Sequence, residues 1–171
     1  MLPRSRSLRH ACGALALATL LLSAPASAGG PMPHAAQQEI LDLISSYSYS
    51  FDGKDLEALL DLFAEDARWA WYGPDGSLLV DVGTPEELRA FFANTIQSHV
   101  DAGRQTRHFQ TNTVFTSFQG RRATARTMVL IVWQNAGEPL PVAMRSGTYD
   151  DTFVRTRDGW RFEERVITTD Q

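Results

Sequence analysis

Apolar residues recur at helical spacing in the first half of the chain and alternate with polar residues in the second half. From residue 35 to about 51, an apolar side chain returns every three or four positions, which predicts an amphipathic helix. The same spacing over Leu56–Phe63 indicates a short second helix. A third helix is predicted from Thr84 to about His99, because Thr84 is a favourable N-cap residue, a proline follows in the first turn, and Glu87 completes a capping box.

Strand patterns dominate the rest of the sequence. The predicted strands cover residues 69–72, 78–82, 106–118, 122–134, 142–156 and 160–169. Turns around Gly120, Gly137 and Gly159 separate the four long strands, and strands joined by short turns pair antiparallel. Helices followed by such a meander favour the α+β class, in which three helices laid over a curved, mostly antiparallel sheet enclose a pocket.

The first residues have the layout of a secretory signal peptide. Three arginines in residues 1–9 precede an apolar run at 11–22, and Ala26-Ser27-Ala28 matches a cleavage site. We therefore expect a signal peptide at residues 1–28, a flexible N-terminus at 29–37 and one domain at 38–171, exported to the periplasm or secreted. The alternative is a buried N-terminal helix.

Charge and residue inventory exclude several classes of function. Of 16 basic and 20 acidic residues, cleavage removes three arginines and leaves a net charge of −7, which disfavours nucleic acid and anionic membranes. Cys12 leaves with the signal, and His99 and His108 have no metal-ligand spacing. No nucleotide or serine-hydrolase motif is present, so we expect neither metal nor cofactor.

Five segments carry a resemblance to a known family. These are Tyr49–Leu56, Leu62–Ala67, Arg107–Asn112, Gly147–Asp151 and Asp158–Phe162. Together they resemble the SnoaL-like and nuclear transport factor 2-like superfamily over residues 38 to 169. The resemblance implies a cone-shaped α+β barrel with three N-terminal helices packed on a strongly curved sheet.

Within that superfamily the chain is most similar to the scytalone dehydratase and hexachlorocyclohexane dehydrochlorinase types. Both use an Asp–His pair, and the resemblance places that pair at Asp52 and His108. The scytalone dehydratase type has a second pocket histidine on the next strand, where this chain has residues such as Met128 and Trp133. Phe51 replaces its tyrosine before the aspartate, so a second acid is not evident.

Histidine exchanges protons near neutral pH, and a carboxylate bonded to one ring nitrogen leaves the other as a base. The alternatives are that Asp52 only caps the second helix and that His108 is a strand residue bonded to a neighbour. Alternation along the strand predicts that Gln110 and Asn112 share the face of His108 and contact substrate. Aromatic side chains are expected to line the pocket, with Trp71, Tyr72 and Trp133 as candidates.

The favoured function is a cofactor-independent lyase or isomerase acting on a small cyclic or aromatic molecule. A second hypothesis is a non-catalytic exported module that binds a small molecule in the same pocket, and a third is an accessory subunit contributing only a sheet surface. An outward apolar row with Phe109 and Phe115 predicts a homodimer, or a higher oligomer, formed through the sheet.

Overall fold

The computed structural model describes residues 30–170, so the predicted signal peptide lies outside the described residues. Within this range the chain forms three helices and six strands. The helices are α1 (His34–Asp52), α2 (Leu56–Leu60) and α3 (Pro85–Asp101). The strands are β1 (Phe63–Tyr72), β2 (Leu78–Val82), β3 (Arg104–Phe118), β4 (Arg122–Asn135), β5 (Val142–Thr156) and β6 (Gly159–Thr169). No helix in residues 30–170 is long and apolar enough to cross a membrane.

The six strands form one curved, open sheet in the order β2-β1-β6-β5-β4-β3. All neighbouring pairs are antiparallel except β1 and β6, which run parallel. The long strands β3 to β6 form the predicted meander. Because β2 and β3 are the two edges, the sheet curves around the helices without closing on itself.

The helix α1 begins at His34, one residue before the predicted start at 35, and Ala36 in its first turn packs against the core. This turn lies within residues 29–37, which were also expected to be a flexible N-terminus. The end of the second helix differs more from the sequence-based prediction. Phe63, predicted in the second helix, instead begins β1, whose partner β6 lies almost a hundred residues later. Helical spacing over a short segment does not reveal such a distant partner strand.

Side-chain capping hydrogen bonds are present at the N-termini of α2 and α3. The Thr84 hydroxyl accepts a hydrogen bond from the Glu87 amide, and the Glu87 carboxylate accepts one from the Thr84 amide, which completes the predicted capping box. Asp55 caps α2 by accepting a hydrogen bond from the Ala58 amide. The alternative in which Asp52 caps α2 is therefore wrong.

The core lies between the helices and the concave face of the sheet. Its apolar side chains come from both layers and include Ile40, Ile44, Phe92, Phe153 and Phe162. Each of these is at most 3% exposed, and burial of such a side chain contributes roughly 1.5–3 kcal/mol. This packing sets the distance between α1, α3 and the sheet, and therefore the width of the space that they enclose.

A bulge in β3 changes the direction of its second half. The register with β4 shifts between Thr111 and Val114, and Asn112 has a positive φ of 55°. Before the bulge, Phe109 points outward and is 55% exposed, as predicted. After it, Phe115 packs against the core, so its predicted outward direction is wrong.

Candidate active site

Asp52 is the last residue of α1, and its carboxylate faces β3. One oxygen accepts a hydrogen bond of 2.8 Å from the Thr106 hydroxyl, and the other accepts one of 2.8 Å from the His108 amide. The following residue is Gly53, where a Cβ atom would lie only 2.8 Å from the Tyr49 carbonyl oxygen. The glycine thus lets the chain turn closely after α1 while Asp52 keeps its direction toward the strand.

His108 completes the arrangement from the sheet side. Its Nδ1 lies 2.7 Å from the Asp52 Oδ1, and its side chain is 5% exposed. The imidazole packs edge-on against Phe51, with ring centroids 4.8 Å apart, and against Tyr47 at 6.1 Å. These contacts hold the ring plane, so the carboxylate and the imidazole meet in a single geometry.

The environment of Asp52 favours its ionised form. Burial raises the pKa of this carboxyl, but the hydrogen bonds and charge of His108, together with the Thr106 hydroxyl, outweigh burial and hold the pKa below its ordinary value. A carboxylate that accepts three hydrogen bonds is a fixed negative partner for the imidazole. It therefore favours the tautomer in which Nδ1 carries the proton and the other ring nitrogen is free.

A cavity of about 530 Å³ lies beside His108, between α1, α3 and the sheet. Its walls are mostly aromatic and apolar, and they include Trp69, Trp71, Phe91, Phe92, Ile131 and Trp133. The phenols of Tyr47 and Tyr149 also line it, and burial raises the pKa of both, so they are neutral at neutral pH. This volume is typical of a site for a small organic ligand.

The cavity contains a second histidine, which was not expected there from the sequence. His99, near the end of α3, lines it and lies edge-on to Phe51 and to Trp133, at centroid distances of 6.0 and 6.2 Å. Its Nδ1 is buried without a hydrogen-bond partner among the described residues. The sequence did contain an indication of this position. His99 follows Phe92 by seven residues and Ile96 by three, and this helical spacing places it on the buried face of α3.

We expect His99 to make folding stability depend on pH. Burial lowers its pKa below 6.5, and the charge of Arg104 lowers it further, so the folded protein takes up this proton less readily than the unfolded chain. Stability should therefore fall as the pH drops below 6.5. In His99→Phe, urea midpoints measured above and below that pH should differ less than in the wild-type protein. An unchanged difference would contradict the prediction.

Two of the predicted ligand contacts line the cavity, and three do not. Trp71 and Trp133 are part of the wall. Tyr72 is not, because consecutive side chains of a strand point to opposite faces and Trp71 takes the inward direction. Asn112 lies in the bulge, is exposed, and hydrogen-bonds Met128, so its predicted direction is wrong.

Gln110 points inward as predicted but lies beneath α1, outside the cavity wall. Its amide donates to the Ile44 carbonyl and the Ser48 hydroxyl, and its carbonyl accepts a hydrogen bond of 2.9 Å from Arg165. Arg165 in turn forms two hydrogen bonds of 2.8 Å with Asp151, and both side chains of this ion pair are fully buried. Gln110 thus links α1 to a buried ion pair in the sheet, which is a structural role.

The described residues contain no cluster of three or more histidine, cysteine or acidic side chains that could hold a metal ion. Two further cavity residues, Arg104 and Arg145, were not assigned to the site from sequence. Nothing in the strand pattern separates an arginine that points into a cavity from one that points into solvent.

Residues 34–166 match the sequence profile of the SnoaL-like domain family. The chain belongs to this family. The resemblance inferred from the motifs is therefore confirmed, and so is the α+β fold with helices on a curved, mostly antiparallel sheet. No curated protein matches the chain.

Solved structures share this SnoaL-like fold over most of their length. An NTF2-like protein with a cystatin-like fold from Novosphingobium aromaticivorans is 26% identical, with a TM-score of 0.66 over 79% of this chain and 82% of that one. A scytalone dehydratase-type protein from the same organism is 24% identical, with a TM-score of 0.65 over 79% and 84%. LinA is 18% identical, with a TM-score of 0.65 over 80% and 87%.

Proposed function

We propose that the protein is a cofactor-independent lyase or isomerase acting on a small cyclic or aromatic molecule, with His108 as the base and Asp52 as the residue that orients it. The observation that carries this proposal is the 2.7 Å contact between the Asp52 carboxylate and Nδ1 of an imidazole that borders an aromatic cavity. Structures of the same fold include a dehydratase-type protein and the dehydrochlorinase LinA, which agrees with a lyase.

The proposed chemistry begins with proton transfer from a substrate carbon to the free nitrogen of His108. Asp52 stabilises the imidazolium that forms, and the Nδ1 proton stays on the histidine. The electron pair of the broken C–H bond then expels a leaving group on the neighbouring carbon, or it moves into a conjugated carbonyl and the proton returns elsewhere. The first outcome is elimination and the second is isomerisation.

The walls of the cavity suit this reaction. Apolar and aromatic surfaces exclude water, which strengthens the electrostatic stabilisation of charge that develops in the transition state. His99, a neutral imidazole on the α3 side of the cavity, is a candidate hydrogen-bond donor to the leaving group or to a substrate carbonyl oxygen, while the proton taken up by His108 is the one returned. Its position on α3 differs from the next-strand position that the scytalone dehydratase type suggested.

The test is turnover of a panel of cyclic β-hydroxy ketones, halogenated cyclohexanes and conjugated cyclic ketones, followed by mass spectrometry. Loss of water, loss of hydrogen halide or an isomer of unchanged mass, each absent with His108→Ala, would support the proposal. If none is turned over while a ligand is retained on purification, the exported binding module becomes the better hypothesis.

We also propose that two copies associate through the outer face of β3 and β4. Phe109 and Leu130 lie directly opposite each other there, Met128 is adjacent, and these side chains are 41–55% exposed. Contiguous apolar surface of this kind marks interaction sites on soluble proteins.

Light scattering should therefore give about twice the chain mass for the wild-type protein and a monomer for Phe109→Glu, because the interface would bury an unpaired carboxylate. Leu79→Glu, on the opposite edge strand β2, is the matched control and should remain dimeric. A monomeric wild-type protein at micromolar concentration would exclude this dimer.

A further inference from the structure

Two arginines in the cavity wall are each stacked on a tryptophan. The guanidinium carbon of Arg104 lies 3.7 Å from the ring centroid of Trp133, and that of Arg145 lies 4.0 Å from the ring centroid of Trp71. Stacking occupies the flat face of a guanidinium and leaves the N–H groups at its edge available. The two tryptophans thus hold two cationic hydrogen-bond donors in fixed orientations at the cavity.

These donors lack the carboxylate partners that other arginines of the sheet have. Arg68 and Arg126 are paired with acidic side chains at 2.7 Å. Arg145 forms neither a hydrogen bond nor an ion pair with any residue in the described range, and Arg104 uses only its Nε, toward Asn135. Burial also lowers the pKa of Arg145, which shows that its charge is partly removed from water. An anion in the cavity would relieve this cost.

The charge of the cavity is opposite to that of the protein. The lining within residues 30–170 includes these two arginines and no aspartate or glutamate, whereas the whole chain carries a net charge of −4. In an acidic protein, a positively charged cavity with apolar walls concentrates the positive electrostatic potential at one site. Such a cavity favours a ligand that combines a negative charge with an apolar body.

The strand register places the arginines relative to the proposed base. His108 pairs with Ile131 on β4, and Ile131 pairs with Arg145 on β5, and all three line the cavity. Two strand spacings separate the Cα atoms of His108 and Arg145 by about 10 Å. Arg104 lies four residues before His108 on the same face of β3, about 13 Å along the strand. One ligand with its ring system between these side chains can contact all three.

We propose that the ligand of this cavity is a cyclic or aromatic carboxylate whose carboxylate binds Arg145 and Arg104 and whose ring lies between Trp71 and Trp133. The edge of a guanidinium matches the two oxygens of a carboxylate. This proposal names the ligand class for the proposed function. It rests on that function only in placing the reacting carbon of the ligand beside His108. Binding of the carboxylate is measurable without any turnover.

The test compares 2-naphthoate with 2-naphthamide, a neutral probe of nearly the same shape, by titration of tryptophan fluorescence. The wild-type protein should bind the carboxylate at least about tenfold more tightly, the size expected for one charge-assisted hydrogen bond. Arg145→Gln should remove most of this preference while leaving the affinity for the amide within about twofold, and Arg104→Gln should reduce the preference less. Arg107→Gln, on the exposed face of β3, is the matched control and should retain the preference.

Equal affinities for the two probes, no detectable binding of either, or an equal loss of both in Arg145→Gln would overturn the proposal. Increasing the sodium chloride concentration with the wild-type protein gives a second readout that needs no variant. Added salt should weaken the binding of 2-naphthoate and leave the affinity for 2-naphthamide unchanged. An unchanged affinity for 2-naphthoate would contradict the proposal. If neither the substrate panel nor carboxylate derivatives of its compounds are turned over but naphthoate binding remains arginine-dependent, the lyase or isomerase proposal fails and the ligand class stands.

Discussion

Replacing Asp52 with asparagine should lower kcat by about 10²–10⁴-fold even though the side chain keeps its shape. The His108 amide is an obligatory donor to one carboxylate oxygen. An asparagine that keeps its carbonyl oxygen there must direct its NH₂ group toward the His108 Nδ1. The ring proton then moves to the other nitrogen, which can no longer accept a proton from substrate.

The matched set is wild type, Asp52→Asn, His108→Ala and the double variant, assayed with the substrate found in the panel. His108→Ala should remove nearly all turnover, and the double variant should be little worse, because the two residues act as one unit. Added imidazole should partly restore the turnover of His108→Ala but not that of Asp52→Asn. ¹⁵N NMR reports the His108 tautomer independently of activity. A wild-type kcat in Asp52→Asn would exclude the orienting role.

Arg165→Met should lower the free energy of unfolding by about 3–5 kcal/mol, because it leaves the buried Asp151 carboxylate without its partner. Both side chains of this ion pair are 0% exposed. The guanidinium carbon of Arg165 also lies 4.1 Å from the ring centroids of Tyr47 and Tyr149, so the variant loses contacts with both phenols. Urea unfolding followed by tryptophan fluorescence measures the effect.

The neighbouring exposed pair supplies the control. Arg126→Met removes an ion pair with Asp150, in which the two side chains are 63% and 44% exposed, and should cost no more than about 1 kcal/mol. Replacing both buried partners, Arg165→Met with Asp151→Leu, should recover much of the loss, since no unpaired charge remains. If Arg165→Met were no more destabilising than Arg126→Met, the buried pair would not be a major support of the sheet.

Prediction from sequence succeeded where the signal is local. The capping box at Thr84, the helical spacing of α1 and α3, and the turns of the long strands depend on neighbours a few residues apart. The predicted long strands agree with β3 to β6 within two residues at each end. The motifs around Asp52 and His108 identified the family, which in turn indicated the candidate pair.

Prediction failed where a distant contact decides direction. Phe63 belongs to a strand because β6 lies beside it, and the bulge at Asn112 exposes that residue and turns Phe115 inward. Gln110 points inward, yet α1 covers it and Arg165 binds it. None of these outcomes follows from the alternation of polar and apolar residues, since one extra residue in a strand reverses every direction after it.

The sequence by itself determined the class of fold and the order of its elements, because periodicity, caps and turns are properties of short segments. Through the family resemblance it also indicated Asp52 and His108 as the candidate pair. Only the tertiary structure decided what surrounds His108. It brought His99 from α3, the arginines from β3 and β5, and the aromatic walls to one cavity. The physical reason is that a cavity is formed by side chains far apart in sequence, whose meeting depends on strand register and on how helices pack across the sheet.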